Sequence, residues 1–96
     1  DAFWRWLDTL SVTPTVAALR ARAEEIRQSE LADHLSRLQN LSAHEKRVVE
    51  RMTASIVGRL LHEPTLRLKA RASEGDGVAY AAVLRELFGL DNHDET

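Results

Sequence analysis

Between Pro14 and Leu38 neither a glycine nor another proline interrupts the chain. The stretch of about 26 residues is long enough for about 39 Å of helix at 1.5 Å per residue. A compact chain of 96 residues has a radius of gyration near 12.5 Å, hence a diameter of about 32 Å. The helix is longer than the globule it would have to build. Thr13-Pro14 reads as its start, a hydroxyl N-cap followed by a proline whose missing N–H costs nothing in the first turn. Val16, Leu19, Ala23 and Ile26 recur at three-four spacing, and Leu31, Leu35 and Leu38 continue the pattern. The step from Ile26 to Leu31 is five residues, which turns the apolar stripe by roughly 100° midway. The two halves of the helix are therefore expected to face different neighbours.

The next segment raises the same difficulty. Ser42-Ala43-His44-Glu45 is a capping box, in which the serine hydroxyl and the glutamate carboxylate each satisfy an exposed backbone N–H. The helix it opens carries Val48, Val49, Met52, Ile56, Val57, Leu60 and Leu61. At about 100° per residue these cover an arc of roughly 220°, about twice that of a helix packed on one side. Such a helix is covered from two directions. Pro64 ends or kinks it, and residues 65–72 resume with Leu66 and Leu68. Gly75-Asp76-Gly77 is a turn, with Asp76 as cap of a last helix bearing Val78, Val83, Leu84, Leu87 and Phe88 and closed by Gly89. Ahead of all this, Phe3, Trp4, Trp6, Leu7 and Leu10 mark a short helix over residues 1–10, with no methionine or cap before it. Residues 91–96 form a flexible acidic tail. Nothing alternates with period two, so no strand is expected. The expected fold is all-α: long antiparallel helices with a short C-terminal helix, completing a helical bundle as a homodimer.

Composition removes several functions. The absence of cysteine excludes a disulfide scaffold, a thiol nucleophile and a cysteine-ligated zinc site within these residues. A net charge of −2 and a pI near 6.1 give no global attraction to nucleic acid or to an anionic membrane. No apolar run approaches the roughly 20 residues of a membrane helix, and no basic, apolar leader is present, so a cytoplasmic protein without a membrane partner is expected. No constellation supports catalysis. Ser42, His44 and Glu45 are explained by capping, and His62-Glu63 begins like a zinc-protease helix, but Pro64 is expected to break that helix and Leu66 stands where the second ligand would be. His34, His44 and His93 fall on separate segments. No metal ligand, catalytic group or cofactor-binding residue is expected.

Phe3…Trp6-Leu7, Pro14-Thr15-Val16…Leu19-Arg20, Ala23-Glu24…Ile26-Arg27…Glu30-Leu31 and above all Arg59-Leu60-Leu61-His62-Glu63-Pro64-Thr65 follow a known pattern. With Gly75-Asp76-Gly77 and Leu84-Arg85…Leu87-Phe88-Gly89-Leu90, the chain resembles the C-terminal dimerisation domain of glutamyl-tRNA reductase over roughly residues 3–90. One departure is Gly58, where that family usually carries asparagine. The resemblance implies that residues 1–10 are the end of a long connecting ("spinal") helix, that residues 11–90 are the dimerisation domain, and that two chains meet there in a V-shaped homodimer. It also implies a parent enzyme of tetrapyrrole and haem biosynthesis. That enzyme takes glutamate from its tRNA onto a cysteine and reduces it with NADPH to glutamate-1-semialdehyde. Neither the cysteine nor a nucleotide-binding loop lies in this chain, which is expected to be non-catalytic.

Within that frame Val49, Met52, Ile56, Leu60, Leu61 and Trp6 are the expected dimer interface. Two alternatives accompany it. Haem is the end product of the pathway the resemblance implies, so His62 is a candidate haem ligand in a regulatory module that binds haem or a protein. Arg59, Arg67, Lys69 and Arg71 form a mildly basic segment that is a candidate contact for the tRNA of the parent enzyme.

Overall fold

The computed structural model describes residues 2–90, with the side chains of residues 4–9 excepted. Three helices account for it: α1 (Ala2–Leu35), α2 (Ala43–Ser73) and α3 (Gly77–Phe88). No strand occurs among the described residues. Arg27 of α1 meets Glu50 and Thr53 of α2, whereas Val12 and Val16 cluster with Leu68 and Ala72. Numbers that fall on one helix as they rise on the other make α1 and α2 an antiparallel hairpin. The short α3 folds back onto the end where α1 begins its packing and α2 finishes. The side chains of Trp4, Trp6 and Leu7 and the whole of the tail 91–96 lie outside what is described.

The first correction to the sequence reading concerns both prolines. Thr13-Pro14 does not start a helix; α1 runs through it unbroken, and α2 likewise runs through Pro64. An interior proline costs about 3 kcal/mol, because it removes one ladder donor and crowds the carbonyl four residues back. Packing beside each proline outweighs that cost. Around Pro14, Val12, Thr15, Val16 and Leu19 are all buried; after Pro64, Thr65 and Leu68 are. Each buried aliphatic side chain contributes about 1.5–3 kcal/mol. The Thr15 hydroxyl also donates to the Ser11 carbonyl at 2.7 Å.

The ends of the helices follow local chemistry closely. At the head of α2 the Glu45 N–H donates to the Ser42 hydroxyl at 3.0 Å, and the Ser42 N–H donates to the Glu45 carboxylate at 2.8 Å. Those bonds hold the Glu45 carboxyl below its usual range, the bond from the Ser42 backbone N–H most of all. α2 and α3 both close on a left-handed glycine, Gly75 at φ 92° and Gly89 at φ 63°. The N–H of the following residue reaches back to the carbonyl five before it, Asp76 to Arg71 and Leu90 to Arg85, at 2.9 Å each. α1 ends at Leu35 rather than Leu38, and Asn40 makes the turn at φ 67°. Asp76 stands at the N-cap of α3, but its side chain makes no cap bond. Its N–H already closes α2, which fixes its backbone at φ −104°, ψ 10°, away from the extended geometry a capping side chain needs.

The core is small. Val12, Val16, Leu68, Ala72 and Ala81 form one cluster with Leu84 packed against it, where all three helices meet. Thr15, fully buried, ties α1 to α3 by accepting from Arg85 Nε at 2.8 Å. On α3 the buried positions are Gly77 and Ala81, and of the five large apolar residues read on this helix Leu84 packs against the core, whereas Val78, Val83, Leu87 and Phe88 are exposed. Small inward residues let α3 lie close to the hairpin. The molecule measures 59 × 29 × 15 Å, with a radius of gyration of 16.9 Å. That compares with about 12.5 Å for a compact chain of this length. Its surface of 7179 Å² likewise exceeds the roughly 5,500 Å² expected for a compact protein of this mass.

Candidate self-association surface

Away from the three-helix end the hairpin has only two helices, and half of each apolar face lacks cover. On α2, Val49, Thr53, Val57 and Leu61 repeat every four residues and are half-buried towards α1. Val57 and Leu61 border a groove shared with Arg20 and Glu24 of α1. One position earlier in each turn stand Val48, Met52, Ile56 and Leu60, all exposed, Leu60 at 69%. The two rows are parallel and about 100° apart around the helix axis. The 220° apolar arc read from the sequence is therefore two rows, one covered by α1 and one facing solvent.

The expected interface residues divide between them. Met52, Ile56 and Leu60 lie on the exposed row, Val49 and Leu61 on the half-buried one; the side chain of Trp6 is outside the described set. His62 is exposed and lies off the row, about 200° from Leu60. It also sits mid-helix, because α2 continues past Pro64. Arg59, Arg67 and Arg71 share one face, with Glu63 among them, while Lys69 is turned about 200° from Arg67. Arg67 pairs with Glu63 at 3.3 Å and Arg71 with Glu74 at 3.1 Å, and the Arg71 guanidinium lies 5.2 Å from the centre of the Tyr80 ring. The structure does not gather the four cations into one patch. Among the described residues no group of three or more His, Asp or Glu is placed to hold a metal ion, and no helix is long and apolar enough to cross a membrane.

One feature escaped the sequence reading. Row 19-23-27-31-35 of α1 advances in fours towards α2, with Leu19 and Leu31 buried, and its middle member is Arg27. The Arg27 side chain is only 13% exposed. Its Nη1 donates to the Glu50 carbonyl at 3.0 Å and the Thr53 hydroxyl at 3.1 Å. Nε and Nη2 donate to the two carboxylate oxygens of Glu24, at 3.0 and 2.7 Å. Bonds from Arg27 first and Gln28 second lower the Glu24 pKa to about 2, and the same pair raises that of Arg27. The apolar stripe does not rotate at Ile26; Ile26 is exposed and an arginine fills the place in the seam. The signal was the five-residue gap itself, with a glutamate three residues before the arginine that fills it.

A long hairpin with an uncovered apolar row is built to associate, and the comparisons agree. The family described as "Glutamyl-tRNAGlu reductase, dimerisation domain" matches residues 1–90. The chain belongs to this family. Curated relatives called glutamyl-tRNA reductase include those of Chloroflexus aurantiacus (44% identical over 90 residues), Pelotomaculum thermopropionicum (42% over 91) and Salinispora arenicola (45% over 91). Each alignment covers 94–95% of this chain but 20–21% of the relative, so the chain spans about a fifth of a full glutamyl-tRNA reductase. No solved structure matches.

Proposed function

We propose that this dimerisation domain joins two glutamyl-tRNA reductase molecules through the exposed row of α2, with Met52, Ile56 and Leu60 at its centre. Val49 and Leu61 support that row from the intramolecular side, and Trp6 is a further residue of the proposed interface. The observation that carries this reading is the row itself: four large aliphatic side chains in register on a helix whose other apolar row is already covered. An isologous contact lets each row cover its copy. The parent enzyme, in this reading, reduces glutamyl-tRNA with NADPH in the cytoplasm at the entry to tetrapyrrole synthesis, and the present chain supplies association but no catalytic or cofactor-binding group.

The tRNA and haem alternatives gain no support from the side-chain arrangement. Arg67 and Arg71 are engaged by carboxylates, and His62 stands off the apolar row.

Light scattering after size exclusion, across a dilution series, tests the reading. The expected mass is twice 10.8 kDa. Leu60→Asp should raise the dissociation constant by about a hundredfold or more, since two copies each lose about 1.5–3 kcal/mol of burial. A monomer at all concentrations, or a dimer indifferent to Leu60→Asp, refutes it.

A further inference from the structure

The two rows of α2 pose a problem of choice. Val49, Thr53, Val57 and Leu61 face α1; Val48, Met52, Ile56 and Leu60 face away. Each outer residue precedes an inner one by one position, so a rotation of α2 by about 100° brings the outer row against α1 and carries the inner row round to the other flank. The outer row is the more apolar and the larger, Met and Ile standing where the inner row has Thr and Val. Burial alone would turn the outer row inward against α1, because hydrophobic attraction is non-directional and grows with the apolar area removed from water.

We infer that Arg27 and Thr53 form a polar pin that selects which row faces α1, and so keeps the larger row free for a second copy. Thr53 is the one polar member of the inner row, and it is where Arg27 lands. The same Nη1 reaches the Glu50 carbonyl, which also accepts from the Thr53 hydroxyl at 3.0 Å. With the outer row against α1, the guanidinium of Arg27, on a side chain only 13% exposed, faces Met52 and loses the Thr53 hydroxyl, its one side-chain acceptor on α2. A backbone carbonyl still stands where that of Glu50 was, because the helix repeats itself about every 100°. A buried donor left without its acceptor is costly, and that cost opposes the extra apolar burial the outer row would gain against α1. A single buried polar contact that fixes register among near-equivalent apolar arrangements is the best attested use of such groups in helical assemblies. Glu24 holds Arg27 in place from its own helix, gripping it with both oxygens. Arg27 is thus a positioning residue for self-association, acting on the outer row through the azimuth of α2. This inference rests on the proposed role of that row.

Met52 is the only methionine and lies in the outer row, so a 13C-labelled Met52 methyl reports the azimuth directly. In the 96-residue chain one sharp methyl signal is expected. Thr53→Val, nearly isosteric, and Arg27→Leu should each split or broaden it while helix content by circular dichroism is kept. The same variants should raise the dimer dissociation constant by roughly tenfold or more. Arg27→Lys, which keeps one donor but cannot fork, should retain the native signal as the major one. A single Met52 signal at the native shift in Thr53→Val and Arg27→Leu, with unchanged dissociation constants, overturns the inference. Should Arg27→Leu fail to fold, Thr53→Val decides it alone. A native chain that is monomeric would refute the proposed function, while splitting of the Met52 signal in the variants would still establish the pin.

Discussion

The two ends of the hairpin are held by different physics. Where α3 folds back, three helices meet over Val12, Val16, Leu68, Ala72 and Ala81, and the seam is apolar and closed. At the other end α1 and α2 have only each other; the seam is half-buried and crossed by Arg27. The closed end secures a folded chain. The open end leaves Met52, Ile56 and Leu60 in water and fixes, through polar bonds, which face stays there. In the proposed function, association belongs to the end that is less well packed on its own.

The largest effect that separates the ends is expected at Leu68, 4% exposed in the three-helix cluster. Leu68→Ala should lower unfolding free energy by about 2–5 kcal/mol, measured by urea titration at fixed protein concentration. An outer-row truncation such as Ile56→Ala should instead change the midpoint chiefly in proportion to dimer population, so its effect should shrink on dilution. Equal, dilution-independent losses at both positions would erase the distinction. Next comes Thr15→Val, at the fully buried hydroxyl that donates to Ser11 and accepts from Arg85. It should cost about 1–3 kcal/mol, because the Arg85 guanidinium loses an acceptor in a partly buried place. A neutral result would mean that Arg85 finds another acceptor there.

A smaller, opposite effect is expected at Gly58. A Cβ built there meets nothing within 4 Å, and its backbone is helical. Gly58→Ala should therefore stabilise by about 1 kcal/mol through helix propensity alone. A loss of stability would show that the groove beside Arg20 and Glu24 must stay open.

Much of this division was legible in the sequence. The capping box at Ser42, the closing glycines and the three-four spacing are local signals, and local hydrogen-bond chemistry decides them wherever tertiary packing does not object. Helix continuity was not legible: Pro14 and Pro64 carry breaker signals, and only the burial of Val12 and Leu19 around the first and of Thr65 and Leu68 after the second shows why the breaks do not form. The width of the apolar arc on α2 marked two rows, of which α1 half-covers one and leaves the other exposed, but it did not say which row α1 would take. That choice turned on Thr53 and Arg27, residues that an apolar pattern passes over. On α3 the larger aliphatics misled, because close approach selected Gly77 and Ala81 for the inner face.

Acid should take the two ends apart in order. The Glu24 carboxylate, bonded first by Arg27 and then by Gln28, has its pKa lowered to about 2 in the folded chain, against an ordinary value of about 4.3. A carboxylate with a lowered folded pKa contributes stability that is fully present above its ordinary range and is lost as pH falls towards about 2. Below that window the protonated acid no longer grips Arg27, and the open end loses its polar support while the apolar three-helix cluster titrates nothing. Hydrogen exchange between pH 4.5 and 2 should thus show protection falling first around residues 22–30 and 46–57, and later around residues 66–85. Glu24→Gln should reduce the pH dependence at the open end to what the Glu45 capping box contributes there, leaving that of the closed end as before. Simultaneous loss of protection at both ends in the native chain would mean that the hairpin melts as one unit, with Arg27 no more decisive than any surface pair.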